Sequence, residues 1–356
     1  MKQLFKGCHA IAEAAIRAGC RGYFGYPITP QSEIGEYMSE GMPKVNGVFI
    51  QAESELAAGS MVFGAAAAGI RAMTSSSGVG IALMQETISA MVATQLPTVL
   101  VNITRGGPGG GSIQPAQSDY FQSTRGGGNG DYNLLVITPN SVQELVDYTY
   151  EAFELADKYR SPVLVMADGV LAQMMEEAEM PEPVKEIPKK EWAADGKRYD
   201  GANRGKNTVT HVFVPNEKVE LLNDNLQKKF AEIAANEVRW EEKNTEDADI
   251  ILVAYGVSSR ICEDVMDIAR AEGIKVGLFR PITVWPFPSE RLVELSNKTK
   301  KFLCVEMSCG QMVQDVKAFL GGTDAKAYHY GRKGGIVHTV SEVMAALKDV
   351  VGKEGV

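Results

Sequence analysis

The stretch Arg21-Gly-Tyr-Phe-Gly-Tyr-Pro-Ile-Thr-Pro30 decides the fold of the amino-terminal half of the chain. It begins as a short apolar segment rich in aromatic residues, which is typical of a buried strand, and prolines end it. Pro30 restricts Thr29 to an extended backbone, and a threonine before a proline also suits a helix start, with Thr29 as the N-cap. The stretch therefore predicts a strand that leads directly into a helix, the unit from which parallel sheets are built.

Further strands and helices alternate on both sides of this stretch, over residues 1–179. The last predicted helix opens on Ser141-Val-Gln-Glu144, a capping-box pattern in which each side chain binds a free backbone N–H of the other residue. Such alternation predicts an α/β domain with a doubly wound parallel sheet. The predicted strands cover residues 22–28, 48–52, 71–75, 98–104, 134–138 and 162–167, and the predicted helices cover residues 7–18, 31–41, 54–68, 79–93 and 141–158.

The pattern changes at residue 180. Residues 180–246 are predicted to be a linker, because prolines, lysines and a polar stretch that ends near Thr208 interrupt the alternation. A long helix is predicted at about 216–243, where apolar residues recur at spacings of three and four, and we expect it to pack against a domain or a partner. Residues 247–356 predict a second, smaller α/β domain. Its predicted strands cover residues 250–255, 275–279, 302–306 and 325–329, and its predicted helices cover residues 258–272, 288–298, 310–319 and 340–351.

The length, charge and cysteine content exclude several classes of protein. The 356 residues suit two domains, and 36 Lys and Arg against 45 Asp and Glu give a net charge of -9, which argues against a nucleic-acid partner. Because no run of about 18 apolar residues and no signal peptide are visible, we expect no membrane partner and a cytoplasmic location. The five cysteines are scattered, so no metal site and no iron–sulfur cluster is expected on this chain alone.

Two acidic residues follow the second predicted strand, in Gln51-Ala-Glu-Ser-Glu-Leu-Ala-Ala-Gly59. Acidic residues at the start of a helix are ordinarily explained by the helix dipole, and Glu53 is interpreted in this way. The same explanation is open for Glu55, but its apolar neighbours would bury it. A buried carboxyl group keeps its proton longer and can act as an acid, so Glu55 is a candidate catalytic residue.

A glycine-rich segment follows the predicted strand at 98–104. Nine glycines fall between residues 106 and 130, which predicts a long connection without regular structure. The pattern matches neither a P-loop nor a G-x-G-x-x-G turn. Two interpretations stay open: a flexible surface loop, or a binding loop in which Arg105 and Arg125 contact an anion. Thr29 is expected to lie at the same edge of the sheet, where ligands bind.

Four motifs occur in a characteristic order along the chain: GYPITPQSE, QAESELAAG, NITRGGPGGGS and RPITVWPFP. In this order they resemble the alpha subunit of the 2-oxoacid:ferredoxin oxidoreductases. The resemblance covers nearly the whole chain. The loop RGGPGGGSIQPAQSDYFQSTRGGGNGDYN is most like that of the branched-chain 2-oxoacid (2-oxoisovalerate) enzymes, and the 2-oxoglutarate enzymes are the next most similar.

The resemblance implies a fold, an activity and a set of site residues. Residues 1–179 would be the domain that binds the pyrimidine ring of thiamine diphosphate, and residues 247–356 would resemble the transketolase C-terminal domain. The activity would be the oxidative decarboxylation of a 2-oxoacid with coenzyme A to acyl-CoA and CO2. The residues that match the family's motifs are Glu55, which hydrogen-bonds a pyrimidine nitrogen, Tyr26, Pro27 and Ile28 on the pyrimidine side, and Thr29 and Arg105 at the substrate carboxylate.

The resemblance also implies partner chains. The Gly-Asp-Gly sequence that holds the diphosphate and Mg2+ in thiamine enzymes does not occur in this chain. A beta subunit would therefore carry the diphosphate and Mg2+ site, and gamma and delta (ferredoxin-like) subunits would be further partners. The iron–sulfur clusters that pass electrons to ferredoxin would lie on partner subunits only. Two other interpretations stay open: a subunit of a non-redox thiamine enzyme, and a non-catalytic nucleotide-binding assembly protein.

Overall fold

A computed structural model describes residues 2–194 and 207–353. The predicted linker lies partly outside these residues, since most of its polar stretch falls at 195–206. The strands are β1 (Gln3–Lys6), β2 (Gly22–Gly25), β3 (Val48–Gln51), β4 (Ala72–Ser76), β5 (Thr98–Gly106), β6 (Ser112–Pro115), β7 (Leu135–Ile137), β8 (Val163–Asp168), β9 (Met175–Ala178), β10 (Trp240–Lys243), β11 (Ile250–Val253), β12 (Val276–Pro281), β13 (Thr283–Trp285), β14 (Lys301–Glu306) and β15 (Lys326–Gly331). The α-helices are α1 (Gly7–Arg17), α2 (Ser32–Gly41), α3 (Glu55–Ala67), α4 (Gly78–Leu83), α5 (Gln85–Ala93), α6 (Tyr120–Arg125), α7 (Val142–Tyr159), α8 (Gly169–Gln173), α9 (Glu217–Glu237), α10 (Gly256–Ala271), α11 (Ser289–Ser296), α12 (Met312–Phe319) and α13 (Val340–Gly352).

The first sheet has the strand order β13-β7-β8-β5-β4-β2-β3, and β6 pairs with the end of β5. The strands from β7 to β3 are parallel, so their carboxyl ends lie at one edge. Successive side chains of a strand point to opposite faces, and β2 shows this. Tyr23 packs into the core with Ile34 of α2, whereas Phe24 packs against Val62 of α3. Helices thus cover both faces of the sheet, as the alternation predicts.

The Ala- and Gly-rich α3 is buried, as its composition predicts. Ala58, Val62 and Ala66 recur every four residues and form one buried face of the helix. Gly59 lies close to Met84, since a Cβ atom there would be 3.3 Å from the Met84 side chain. The small side chains therefore let α3 approach the neighbouring helices closely.

The second sheet has the strand order β10-β12-β11-β14-β15. Its central strands are parallel, and β10 runs antiparallel at one edge. β13 leaves this domain and pairs antiparallel with β7 of the first sheet. The second domain thus contributes a strand to the first sheet, and the division at residues 180 and 247 stays a prediction.

The predicted helix at 216–243 is too long by six residues. α9 ends at Glu237, and Trp240–Lys243 form β10 instead. The residues of β10 pair with β12, and this tertiary pairing overrides the helical pattern of the sequence. Along the predicted apolar stripe, Val219 is exposed and Leu222 is half-buried. Leu226, Phe230 and Ile233 are buried against the chain itself.

Replacing Phe230 by alanine is expected to destabilise the chain. Its ring is buried and packs edge-on against Trp285, with 5.8 Å between the ring centres, so truncation leaves a cavity where α9 meets β13. We expect Phe230→Ala to lower the free energy of unfolding by about 3–5 kcal/mol, measured by chemical denaturation of the full chain. Leu221→Ala, on the same helix at a side chain that is 59% exposed, is the control and is expected to cost less than about 0.5 kcal/mol. Equal effects of the two variants would contradict the docking of α9.

The glycine-rich segment is more ordered than predicted. It contains β6, which folds back on β5, and the short helix α6.

The predicted capping box at Ser141 forms only in part. The Ser141 hydroxyl accepts a hydrogen bond from the Glu144 N–H at 3.1 Å, but the Glu144 carboxylate accepts one from the Asn140 N–H and pairs with Arg280 of the second domain.

Buried hydrogen bonds join the two domains. The Gln117 side chain donates to the Tyr255 carbonyl at 2.8 Å and accepts from the Ser258 hydroxyl at 2.6 Å. The Asp168 carboxylate accepts from the N–H groups of Val257, at 3.0 Å, and of Leu171, so that one side chain binds the first turns of α10 and α8. These contacts fix the second domain against the carboxyl edge of the first sheet.

Candidate active site

Glu55 lies in the first turn of α3 and faces the start of α4. The Ser54 hydroxyl caps the helix by accepting a hydrogen bond from the Ala57 N–H at 3.2 Å. Glu55 is only 6% exposed, and its carboxylate accepts no hydrogen bond from any residue that the structure describes. A Cβ atom at Gly80 would lie 2.6 Å from its Oε1 atom, so the side chain needs a glycine opposite it. The fold thus places a buried carboxyl group without a partner at the edge of the sheet.

Further polar atoms without a partner surround this edge. They are Oγ of Ser76, at the end of β4, Oγ of Ser77, which follows it, and Oδ1 of Asn102 in the middle of β5, all in fully buried residues. Ser76 and Asn102 lie side by side in the register of these strands. Buried polar atoms are normally paired, so this cluster indicates a place where an external group supplies the missing hydrogen bonds.

The turn that carries Thr29 lies at the end of β2. A chain of hydrogen bonds holds it: Tyr23 and Ser75 bind each other at 2.6 Å, Ser75 binds Gln31, and the Gln31 amide donates to the Tyr26 carbonyl at 3.1 Å. The prediction that Thr29 caps α2 is wrong. The helix begins at Ser32, because a turn closed by the Gln31 N–H and the Ile28 carbonyl separates Thr29 from it. Thr29 is exposed beyond the carboxyl end of β2 instead.

Tyr26, Pro27 and Ile28 line the same turn. Tyr26 and Pro27 are exposed, and Ile28 is half-buried. The first two border a cavity of about 380 Å³ beside β3. They therefore present an open surface at the carboxyl end of β2, and their predicted contact with a pyrimidine ring stays a proposal.

Arg105 lies at the end of β5 and reaches across to the Thr29 turn. Its guanidinium donates one hydrogen bond to the Thr29 carbonyl at 2.9 Å and another to the Gly110 carbonyl at 3.1 Å. Two backbone acceptors therefore fix the orientation of a cation whose charge is not neutralised by either of them. The structure brings Thr29 and Arg105 together, as the sequence predicts.

Arg125 has a different role from the predicted anion contact. Its guanidinium forms an ion pair with Asp315 of the second domain and stacks over the Phe121 ring at 4.0 Å. Because its charge is already paired, Arg125 joins the two domains rather than waiting for a ligand. Of the two interpretations of the glycine-rich segment, the anion contact is thus retained for Arg105 alone.

A cavity of about 470 Å³ lies between the two domains beside Arg105. The first domain contributes Arg105 and Asp119 to its wall, and the second contributes Cys309 and Lys333. Burial raises the pKa of Asp119 to about 6, while the Asn102 amide, at 3.1 Å, and the charge of Arg105 act in the opposite direction. The sequence places Asp119 in the glycine-rich segment, but it does not show that Asp119 lies in an interdomain cavity, because the second domain that encloses it is distant in sequence.

The cysteines are mostly core residues. Cys8, Cys20, Cys262 and Cys304 are buried, and Cys309 is exposed at the interdomain cavity. In residues 2–194 and 207–353, no group of three His, Cys, Asp or Glu side chains is arranged to hold a metal ion.

No helix of the described chain is both long enough and apolar enough to span a membrane.

The site fits the aminopyrimidine side of thiamine diphosphate. Glu55, which is 6% exposed as a residue, offers a carboxyl group without a partner, Ser76 offers a fully buried hydroxyl without a partner, and Gly80 leaves room beside them. A carboxyl group in such surroundings can hold a hydrogen bond to a ring nitrogen. Arg105 adds a cation of fixed orientation at the same edge. The fold and the site together are those of an α/β protein of the thiamine diphosphate-dependent enzyme class.

Comparison with known protein families makes this class specific. The family described as pyruvate flavodoxin/ferredoxin oxidoreductase, thiamine diphosphate-binding, matches residues 13–240. The family described as pyruvate:ferredoxin oxidoreductase core domain II matches residues 248–343. The first match covers more than half of the chain, which therefore belongs to the pyruvate flavodoxin/ferredoxin oxidoreductase family.

Individual relatives agree with this assignment. The ketoisovalerate oxidoreductase subunit VorB of Methanothermobacter marburgensis is 49% identical over 99% of this chain and 98% of its own length. The 2-oxoglutarate synthase subunit KorA of Methanocaldococcus jannaschii is 37% identical over 88% of this chain and 91% of its own length. The family resemblance predicted from the four motifs is confirmed, and so is the prediction that this chain is more similar to a branched-chain 2-oxoacid enzyme than to a 2-oxoglutarate enzyme.

A solved structure of the 2-oxoglutarate:ferredoxin oxidoreductase from Magnetococcus marinus with 2-oxoglutarate, coenzyme A and succinyl-CoA bound is also similar. It superposes with a TM-score of 0.87 at 27% identity over 98% of this chain, which spans 65% of the length of that chain. A split-gene transketolase superposes with a TM-score of 0.59 at 14% identity, a likeness of fold alone. The predicted α/β fold class, a thiamine-diphosphate-binding-type domain with a transketolase C-terminal-like domain, is confirmed.

Proposed function

We propose that this chain is the alpha subunit of a branched-chain 2-oxoacid:ferredoxin oxidoreductase. The complex would convert 2-oxoisovalerate and related 2-oxoacids with coenzyme A to acyl-CoA and CO2, and reduce ferredoxin. The observation that carries the proposal is the buried, unpartnered Glu55 carboxylate at the same sheet edge as Arg105. The VorB relatives, which are named ketoisovalerate oxidoreductase subunits, support the branched-chain substrate, since the KorA relatives are less similar to this chain.

Glu55 is the proposed catalytic residue. Its carboxyl group would bind a ring nitrogen of the aminopyrimidine and hold a proton there, which makes the exocyclic nitrogen of the ring a better base. Thiamine diphosphate, when bound, supplies the carbon nucleophile and the electron sink of the reaction. Tyr26, Pro27 and Ile28 would pack along the pyrimidine side, and Gly80 keeps the space beside Glu55 open.

Arg105 and Thr29 would bind the carboxylate of the 2-oxoacid. The Arg105 guanidinium is already oriented by the Thr29 and Gly110 carbonyls, so little conformational entropy is lost when a carboxylate binds its remaining N–H groups. The exposed Thr29 hydroxyl lies on the same turn and can donate a further hydrogen bond. Together they would place the 2-keto carbon of the substrate near the cofactor.

The assembly with partner chains is part of the proposal. A beta subunit would carry the diphosphate and Mg2+ site, gamma and delta subunits would be further partners, and the iron–sulfur clusters would lie on partner subunits, with the complex in the cytoplasm. Two large apolar side chains beside the site, Leu56 on α3 and Leu83 on α4, are exposed in this chain. Exposed apolar side chains at the rim of a catalytic cleft are typical of a surface that another protein covers.

The proposed function is tested by assaying the chain alone and in its assembled complex. We expect no activity from the chain alone. The complex is expected to reduce ferredoxin or a viologen dye with coenzyme A, with the highest kcat/KM for 2-oxoisovalerate among 2-oxoisovalerate, 2-oxoglutarate and pyruvate. The three substrates share the carboxylate and keto groups and differ only in the side chain, so each serves as a control for the others.

Two outcomes would overturn parts of this proposal. If 2-oxoglutarate gave the highest kcat/KM by a wide margin, the branched-chain specificity would be wrong and the 2-oxoglutarate enzyme would be the better description. If the complex converted a 2-oxoacid without reducing ferredoxin or dye, the chain would belong to a non-redox thiamine enzyme.

A further inference from the structure

Asp119 lies in the wall of the interdomain cavity that also contains Arg105. It stands directly before α6, and a Cβ atom at Gly78 would come within 2.7 Å of its Oδ2 atom. The same oxygen accepts a hydrogen bond from the Asn102 amide at 3.1 Å. The Asp119 side chain is thus held between the starts of two helices, α4 and α6, and the middle of β5, at a fixed position in the cavity wall.

Asp119 and Arg105 influence each other without forming an ion pair. Arg105 donates its hydrogen bonds to the carbonyls of Thr29 and Gly110, and Asp119 accepts from Asn102. The positive charge of Arg105 nevertheless favours the ionised form of Asp119. The two charges therefore interact at longer range, across a cavity wall where surrounding protein limits screening by water.

We propose that Asp119 sets the affinity of this site for the substrate carboxylate, because the ionised Asp119 side chain and that carboxylate compete for the positive charge of Arg105. The inference rests on the proposed function, in which Arg105 binds the carboxylate of a 2-oxoacid. Asp119 acts on the substrate through Arg105 and through direct repulsion. It takes no part in the transfer of electrons or of carbon.

The direction of the effect follows from linkage. When a carboxylate neutralises the charge of Arg105 and adds a negative charge nearby, the proton on Asp119 is held more tightly. Substrate binding is therefore accompanied by proton uptake at Asp119. Because burial already places the pKa of Asp119 at about 6, this residue changes its charge within the pH range in which the enzyme can be assayed. The affinity for the carboxylate falls as pH rises through that pKa.

Other charged groups face the same region. Arg105 comes from β5, and Lys333 and Cys309 come from the second domain. The buried Tyr255 hydroxyl of the second domain also lies within electrostatic reach of Asp119, and burial holds its pKa well above the usual range, so it stays neutral. Cys309 lines the same cavity, and its replacement serves as a control.

The test is the pH dependence of KM in the assembled complex. For the wild-type complex we expect the KM for 2-oxoisovalerate to rise about tenfold between about pH 5.5 and 8.5, which corresponds to a shift of about one unit in the Asp119 pKa upon binding. In Asp119→Asn, which keeps the shape of the side chain but does not ionise, KM is expected to stay within about twofold over this range. Cys309→Ser is expected to keep the wild-type rise.

A second measurement does not depend on the variant folding correctly. Isovalerate has the branched chain and the carboxylate but no keto group, so it binds without reacting. Its inhibition constant against 2-oxoisovalerate in the wild-type complex is expected to rise with pH in the same way as KM. Proton uptake on isovalerate binding at about pH 6.5, in weak buffer, is expected for the wild-type complex and not for Asp119→Asn.

The outcomes separate this inference from the proposed function. A KM and an inhibition constant that do not change with pH in the wild-type complex, or the same rise in Asp119→Asn, would show that Asp119 does not set the affinity. If Arg105→Met left KM unchanged, the substrate carboxylate would bind elsewhere and the proposed function of Arg105 would fail first. A large effect of Arg105→Met together with a flat pH profile would overturn the role of Asp119 alone.

Discussion

Glu55→Gln is expected to lower the turnover of the assembled complex by about 100-fold or more. Glutamine has nearly the shape of glutamate but cannot hold or release a proton, and groups that transfer a proton in the transition state typically contribute this much. Glu55 has no hydrogen-bond partner among the described residues, so the substitution breaks no contact that holds the fold. The measurement is kcat for dye reduction with 2-oxoisovalerate and coenzyme A at saturating concentrations.

The matched control is Glu53→Gln. Glu53 lies two residues earlier in the same motif, but it is exposed and precedes the helix. We expect this variant to keep turnover within about twofold, since it removes one surface charge. The thiamine diphosphate content of both complexes should be measured as well, so that a loss of binding is separated from a loss of turnover. A Glu55→Gln complex with bound cofactor and unchanged kcat would falsify the catalytic role of Glu55 and favour a non-catalytic assembly protein.

The sequence predicts the central elements of the fold well, because their patterns are local. β2, β5, β8 and α7 lie within a few residues of their predicted bounds, since each has a strong apolar period and clear turn residues at its ends. β10 and β13 could not be predicted in the same way. They exist because a partner strand distant in sequence, β12 or β7, pairs with them.

The structural role of the motif RPITVWPFP, at residues 280–288, could not be predicted from the sequence. The motif serves as a marker of the family, and its sequence contains no sign of what it does. In the structure its first residue, Arg280, is buried and pairs with Glu144 of the first domain and Glu241. Its middle forms β13, which joins the first sheet. The motif is thus a connection between the two domains.

In the candidate site, too, some features follow from the local sequence and others depend on the tertiary fold. Glu55, Thr29 and Arg105 follow strands of one parallel sheet, so the sequence alone predicts their convergence at one edge. Asp119 could not be predicted, because its place in a cavity wall depends on how the second domain packs over the first. Arg125 has the same residue type and glycine-rich setting as Arg105, yet Asp315 of the second domain neutralises it. Only the tertiary fold distinguishes the two arginines.

Arg105→Met is expected to raise KM for 2-oxoisovalerate roughly 100-fold, with a smaller change in kcat. Hydrogen bonds to charged groups contribute about 1.5–3 kcal/mol each, and methionine keeps much of the length of the side chain but removes both the charge and the donors. Arg105→Lys keeps the charge and is expected to raise KM about tenfold, since a single ammonium group cannot bind the Thr29 carbonyl and a carboxylate with the same geometry.

The control for both variants is Arg125→Lys, at an arginine in the same segment whose charge is paired with Asp315 rather than directed to the cleft. It can lower stability slightly, but KM is expected to stay within about twofold of the wild-type value. Loss of an interaction that is equally strong in the enzyme–substrate complex and in the transition state raises KM and leaves kcat nearly unchanged. If the Arg105 variants instead lowered only kcat, Arg105 would act on the reaction rather than on substrate binding. Equal increases of KM in Arg105→Lys and Arg125→Lys would instead indicate a general disturbance of the glycine-rich segment. The difference between the two arginines therefore decides whether the substrate carboxylate binds at the end of β5.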